Sequence, residues 1–127
     1  MKLQRDTAQR RALRHIFEEA GRPLSPQEAL DEARTHAPGI GIATVYRNLR
    51  NLIESGYLVP VDIPGEPPRY ELAGKAHHHH FHCRNCGRVF ELEGCPDNLK
   101  SLVPTGFTMD DHEVVLYGAC KSCNANH

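Results

Sequence analysis

Apolar residues in the first part of the chain recur at helical spacing. Leu13, Ile16, Phe17 and Ala20 share one helical face, and Gly21-Arg22-Pro23 ends that helix. Ser25-Pro26-Gln27-Glu28 predicts a second helix start: an N-cap serine, a proline at the first helical position and a glutamate at the third, which together make a capping box. Ala29, Leu30 and Ala33 follow before His36-Ala37-Pro38-Gly39 breaks the pattern. A third helix is predicted from about Ile42 to Ser55, stopped by Gly56. Its apolar stripe is Val45, Leu49, Leu52 and Ile53; at about 100° per residue the opposite face carries Thr44, Arg47, Arg50 and Asn51, with Tyr46 on the flank.

The period then shortens. Tyr57 to Val61 reads as a strand, Asp62 to Pro68 as a loop, and Arg69 to Leu72 as the returning strand. Helices followed by such a hairpin form a winged helix-turn-helix, in which the third helix can enter the major groove and bring arginine and asparagine to base edges and phosphates. The competing reading makes these side chains an ordinary surface for protein contacts. Further on, 89–93 and 113–117 read as strands and 97–103 as a short helix, so the second half is a small α/β domain and the whole chain is α+β. The expected boundary separates residues 1–73 from 74–127. A short sheet with an open edge suits pairing with a second copy, which predicts a homodimer.

At 127 residues the chain makes one compact domain or two small ones, and small modules short of apolar core need staples. No apolar run approaches the roughly 20 residues of a membrane span, and the first residues lack the apolar stretch of a signal peptide, which predicts a soluble, cytoplasmic protein with no membrane partner. The net charge of −1 excludes indiscriminate polyanion binding, but Lys2, Arg5, Arg10, Arg11 and Arg14 face only Asp6 within the first 14 residues, a local excess that could meet phosphate. All 5 cysteines and 7 of the 9 histidines lie after residue 76. In a reducing cytoplasm such clustering points to metal rather than disulfides.

Cys83-Arg84-Asn85-Cys86-Gly87 and Cys120-Lys121-Ser122-Cys123-Asn124 are paired CxxC knuckles. The two-residue spacing lets both sulfurs of a knuckle reach one ion, and Gly87 or Asn124 after the second cysteine permits the left-handed turn that aims backbone N–H groups at sulfur. Four thiolates close a tetrahedral site for structural Zn(II) and leave no position for a reactive water. Ahead of the first knuckle stands His77-His78-His79-His80-Phe81-His82. If extended, it turns His78 and His80 to one side and His77 and His79 to the other, so that alternate residues could serve two ions. Imidazole accepts Zn(II), Fe(II), Mn(II), Ni(II) and Cu(II) alike, so ligand type leaves the metal open.

At this point the sequence resembles the ferric-uptake-regulator (Fur) family of bacterial metal-dependent repressors, over nearly the whole chain. The matching marks are Gly41 to Leu49 (GIATVYRNL), Tyr70-Glu71-Leu72, His77 to Gly87 (HHHHFHCRNCG), Gly106-Phe107, His112, and Tyr117 to Cys123 (YGACKSC). The resemblance implies a winged helix hinged to a dimerisation domain that grips a double-stranded DNA operator when metal is bound. It implies that Tyr46 and Arg47 contact DNA, with Arg5 at a minor-groove position, and that Cys83, Cys86, Cys120 and Cys123 hold structural zinc. It maps a hinge sensor site to Glu71, His78 and His80, and a second site to His77, His79 and His112.

The sequence also departs from the family pattern. Pro23 stands where many iron and peroxide sensors supply a histidine, and Asp62 is a candidate substitute, resembling an aspartate of zinc-sensing relatives. The gapless match to the acidic ligand of the second site is Asn98, with Cys95 and Asp97 nearby; a Cys95 thiolate would soften that site toward zinc, or Cys95 is simply a buried or free thiol. Glu91 replaces the aspartate that peroxide sensing needs. The regulatory ion is expected to be Fe(II), Zn(II) or Mn(II). The rival readings are a constitutive winged-helix DNA-binding protein with only structural zinc, a metal-buffering protein, and a zinc hydrolase using Glu71 as base. No Ser-His-Asp set, phosphate loop or HExxH motif supports an enzyme.

Overall fold

The computed structural model describes residues 2–96 and 98–125, with side chains from Thr7 onward. The chain divides into two compact units, one ending at Lys75 and the other starting at Ala76. Together they are α+β: a winged helix-turn-helix and a small mixed α/β unit.

The first unit runs α1 (Lys2–Ala20), α2 (Pro26–Ala33), α3 (Ile42–Glu54), β1 (Leu58–Val61) and β2 (Arg69–Leu72). The capping box forms: Ser25 Oγ accepts from the Glu28 N–H at 3.1 Å, and Glu28 Oε1 accepts from the Ser25 N–H at 3.0 Å. α3 ends in a Schellman motif, with the Gly56 N–H on Ile53 O and the Tyr57 N–H on Leu52 O. That motif needs φ +81° at Gly56, which only glycine adopts cheaply, and it consumes Tyr57, so β1 begins one residue later than the pattern suggested. β1 and β2 pair antiparallel from Leu58↔Leu72 to Val61↔Arg69. Leu24, between α1 and α2, adds a rung by exchanging backbone hydrogen bonds with Tyr70 at 2.9 Å, which fastens the hairpin to the helices. Leu13, Ile16 and Phe17 of α1, Ala29, Leu30 and Ala33 of α2, and Val45, Leu49 and Leu52 of α3 form one core with Leu58.

The second unit contains β3 (His79–Cys83), β4 (Val89–Leu92), a 3-10 turn (Leu99–Leu102), β5 (Val115–Gly118) and α4 (Lys121–Ala125). β3 is central, antiparallel to β4 and parallel to β5. The last strand starts at Val115 rather than at Glu113, because the Val114 N–H goes to His79 Nδ1 at 3.2 Å instead of to a sheet carbonyl. In place of a helix over 97–103 there is the 3-10 turn: none of its residues is buried, so no apolar stripe holds a longer helix, and Asp97 lies outside the described residues. α4 carries no apolar period and was not legible. Among described residues, the buried apolar side chains of this unit are Cys83, Val89 and Cys123. A core this small cannot hold three strands together without a staple. No described helix is long and apolar enough to cross a membrane.

Candidate metal centres and nucleic-acid face

β3 ends at Cys83, and the tight turn that follows returns the chain into β4 with Cys86 facing back; Gly87, at φ +81°, closes the knuckle. The second knuckle closes differently. Asn124 does not take the left-handed turn open to it, because Cys123 and Asn124 lie in α4, where the Asn124 N–H donates to Cys120 O at 2.9 Å and its Nδ2 to Ala119 O at 3.0 Å. The four sulfurs fall within 4.8 Å of one another, with Cys83 to Cys123 at 3.6 Å and Cys86 to Cys120 at 3.9 Å. A tetrahedron with Zn–S bonds of about 2.3 Å has S···S edges of about 3.8 Å, so this donor set fits zinc without rearrangement. The N–H groups of Cys86 and Cys120 point at Cys83 Sγ at 3.4 and 3.3 Å. That bonding, led by Cys86, pulls the Cys83 thiol well below the usual range, whereas burial pushes the Cys123 thiol up. The Cys83 sulfur is thus biased toward the thiolate, and a cation must draw the proton off Cys123.

Along the histidine run the side chains alternate, with His79 and His80 opening β3 and His77 and His78 just ahead of it. His77 and His79 turn to one face, where they meet Cys95 and His112 with all four donor atoms within 4.8 Å. His77 Nε2 is 3.2 Å from His79 Nε2 and 3.1 Å from His112 Nε2; Cys95 Sγ is 2.8 Å from His112 Nε2, 3.4 Å from His79 Nε2 and 3.9 Å from His77 Nε2. Zn–N bonds of about 2.0 Å and a Zn–S bond of about 2.3 Å require edges of roughly 3.3 to 3.6 Å, close to this set. His79 is buried, and burial first, then the neighbouring imidazoles His77 and His112, lowers its pKa. Its Nδ1 accepts from the Val114 N–H, so the neutral ring carries its proton on Nε2; ligation through Nε2 as a neutral imidazole requires that proton to move to Nδ1 and the Val114 hydrogen bond to be given up. Cys95 is exposed, and the reading of it as a buried thiol is wrong.

His78 and His80 form the opposite pair, with ring centroids 4.9 Å apart. His78 Nδ1 donates to Ala76 O at 2.8 Å, which fixes the tautomer with Nε2 as the lone-pair nitrogen, as is usual for a metal-ligating imidazole. In the first unit, Glu71 is buried on β2 opposite Val59, and Asp62 is exposed just after β1. Asp62 joins no donor group within that unit among the described residues.

The polar face of α3 is narrower than its sequence period implied. Tyr46, at 53% exposure, Arg47 and Arg50 stand outward; Thr44 and Asn51 are half-buried. Asn48, to which no role was assigned, is buried: its Nδ2 donates to Thr44 O at 2.9 Å and its Oδ1 accepts from Arg10 Nε at 3.3 Å, tying α1 to α3. Its position beside Val45, Leu49 and Leu52 on the inward stripe was the available signal. Arg10, Arg11 and Arg14 line an open groove with Thr7 on α1. The side chain of Arg5 lies outside the described residues.

Comparisons with known proteins agree with this architecture. A ferric uptake regulation protein of Campylobacter jejuni is 33% identical over 123 residues, covering 93% of this chain and 78% of its own. The structure of a ferric uptake regulator from Francisella tularensis with iron superimposes with a TM-score of 0.69 at 29% identity, over 91% of each chain. FurB of M. tuberculosis, described as a zinc uptake regulator, gives a TM-score of 0.52 at 30% identity, over 94% of this chain and 95% of its own. The profile of the Ferric uptake regulator family matches residues 2–117, a span that holds the first knuckle, the alternating histidines and the outward Tyr46-Arg47 face: the chain belongs to the ferric uptake regulator family of metal-binding, DNA-binding transcription regulators.

Proposed function

We propose that the protein is a metal-responsive repressor of metal-uptake genes that binds a double-stranded DNA operator as a homodimer, with Fe(II) or Zn(II) as the regulatory ion. The observation that carries this reading is the splitting of the histidine run as the chain enters β3: His77 and His79 face Cys95 and His112, while His78 and His80 pair on the other side. Two histidine sets beside a closed four-cysteine set are more than a structural staple needs. In this reading Cys83, Cys86, Cys120 and Cys123 hold zinc permanently, and His77, His79, His112 and Cys95 are the donors of the second site. Glu71, His78 and His80, with Asp62 as the further oxygen donor, are the sensor ligands, as the family resemblance assigns them.

A divalent cation at such sites supplies the positive charge that lets neutral imidazoles, a carboxylate and a thiolate converge. The chain's own groups do the remaining work. Glu71 belongs to the wing and His78 and His80 to the second unit, so donors drawn from both restrict how the reading helices of a dimer are set against an operator. Tyr46 and Arg47, with Arg50, Thr44, Asn51 and Arg5 beside them, contact the duplex: arginines reach guanine edges or phosphates, and the tyrosine ring packs on a thymine methyl.

The test titrates metal-buffered Fe(II) and Zn(II) against fluorescence anisotropy of a labelled duplex selected from a random pool, while bound ions are counted. Coupling of about 1–3 kcal/mol corresponds to operator affinity rising roughly 5- to 150-fold as the histidine donors load. Unchanged affinity after treatment with a chelator mild enough to leave the cysteine set zinc-bound would overturn the reading in favour of constitutive binding.

A further inference from the structure

A third histidine group lies in the first unit, away from both knuckles. His15 and Glu19 are four residues apart on α1, which stacks them on one face, and His15 Nε2 sits 3.0 Å from Glu19 Oε1. His36 follows α2, and its ring meets that of His15 edge-on, with centroids 5.0 Å apart and planes at 88°. One donor atom from each of the three lies within 4.8 Å of the others. Beside them is an open groove of about 300 Å³, kept clear because Ala8 and Ala12 present only methyl groups; Arg11 lines it as well.

We propose that His15, Glu19 and His36 form a further divalent-cation site that clamps α1 to the end of α2. Two imidazoles and one carboxylate favour borderline cations such as Zn(II), Ni(II) or Cu(II) over Mg(II) or Ca(II), and three protein donors leave the remaining positions to water. The site is preorganised from both sides. His15 is flanked on α1 by Ile16, which with Leu13 and Phe17 anchors that helix in the core. His36 is fixed by the turn that ends α2, where its N–H donates to Ala33 O at 3.0 Å and the Ala37 N–H to the same carbonyl at 2.8 Å. Donors held on two separately anchored segments lose little freedom on binding. Glu19 brings a negative charge to the two imidazoles. All three donors are exposed, so water competes and the affinity is modest, well below that of a buried four-thiolate set. A cation here restrains the α2–α3 connection, which leads through buried Ile40 into α3.

The experiment adds Cu(II) to the full-length chain with its cysteine set zinc-loaded and follows histidine ring signals by long-range ¹H–¹⁵N NMR, each assigned by single substitution. We expect the His15 and His36 signals to broaden together, and His36→Ala or Glu19→Gln to raise the Cu(II) needed to broaden His15 at least tenfold, with the backbone spectrum otherwise retained. The same response should persist in a His77→Ala/His78→Ala/His79→Ala/His80→Ala chain, which separates it from both second-unit histidine sets. The clamp is refuted if the two signals stay sharp at a tenfold excess of Cu(II) over chain, or if His15 broadens equally without His36.

Discussion

Glu28 joins three parts of the first unit at one carboxylate. Its Oε1 accepts from the Ser25 N–H at 3.0 Å, its Oε2 pairs with Arg22 Nη2 at 3.0 Å, and Arg69 Nε on β2 lies 3.9 Å from Oε1. The Arg69 side chain is only 9% exposed, so its charge depends on nearby carboxylates, Glu66 Oε1 at 3.6 Å among them. Glu28→Ala removes half of the capping box and leaves a nearly buried guanidinium short of countercharge. A lost cap contributes about 0.5–2 kcal/mol. Breaking a fully buried pair costs about 3–5 kcal/mol, which must be discounted here because Glu28 is 26% exposed and Glu66 remains. The expected loss is therefore about 2–4 kcal/mol, or roughly 8–30 °C in melting temperature for a unit of this size. Ser25→Ala, which removes the cap alone, should cost about 1 kcal/mol. Glu28→Gln keeps a cap acceptor and loses only the charge, so it should fall between them. Urea unfolding of the metal-loaded chain, followed by amide-exchange protection at Leu49 and Leu52, reads the first unit separately. If Glu28→Ala costs no more than Ser25→Ala, or Glu28→Gln matches the parent, the carboxylate is not bridging helix and wing.

Other consequences are equally open to measurement. Arg47→Ala should weaken operator binding by about 1–3 kcal/mol, roughly 5- to 150-fold, with the number of bound ions unchanged. Cys83→Ser should abolish zinc retention and melt β3, β4 and β5 together while the first unit stays folded, as judged by amide exchange across both units. In the metal-free chain the folded His79 binds its proton more weakly than the unfolded chain, whose imidazole keeps its ordinary value near 6.5. The unfolded state then holds more protons below that value, so the second unit should lose stability as pH falls through 6.5, and His79→Gln should flatten the slope in urea melts.

Where a residue's role depends on its neighbours in sequence, it was legible. The Ser25-Glu28 box, the Gly56 stop and the arginines of α3 follow from local geometry, and each lies where its spacing required. The CxxC spacing likewise fixed which sulfurs could share an ion. What stayed hidden depends on partners distant in the chain. Asn48 reads as one more polar residue until Arg10 is brought against it from 38 positions away. The shift of β5 arises because a histidine ring on β3, rather than a carbonyl, takes the Val114 N–H, and no alternation pattern encodes that. The left-handed turn that Asn124 permits does not form, because Asn124 lies inside α4, a helix that no apolar period announces.

The strand also explains why four adjacent histidines need not act as one polyhistidine sink. In a helix, or in an unstructured run, neighbouring imidazoles would compete for a single ion through many equivalent arrangements. β3 removes that degeneracy for His79 and His80 by pairing with β4 on one side and β5 on the other, and His77 and His78, just ahead of the strand, carry the alternation on. His79 and His80, adjacent in sequence, are committed to opposite faces by the registers His79↔Leu92 and His80↔Val115. A one-residue slip would exchange the sets, placing His78 and His80 against Cys95 and His112. The cysteine set opposes such a slip, because Cys83 ends the same strand and its sulfur is held by the Cys86 and Cys120 N–H groups. The closed four-cysteine set thus does more than offset a small core: it fixes the register on which the separation of the two histidine sets depends, so loosening it should blur their metal preferences before the sheet is lost.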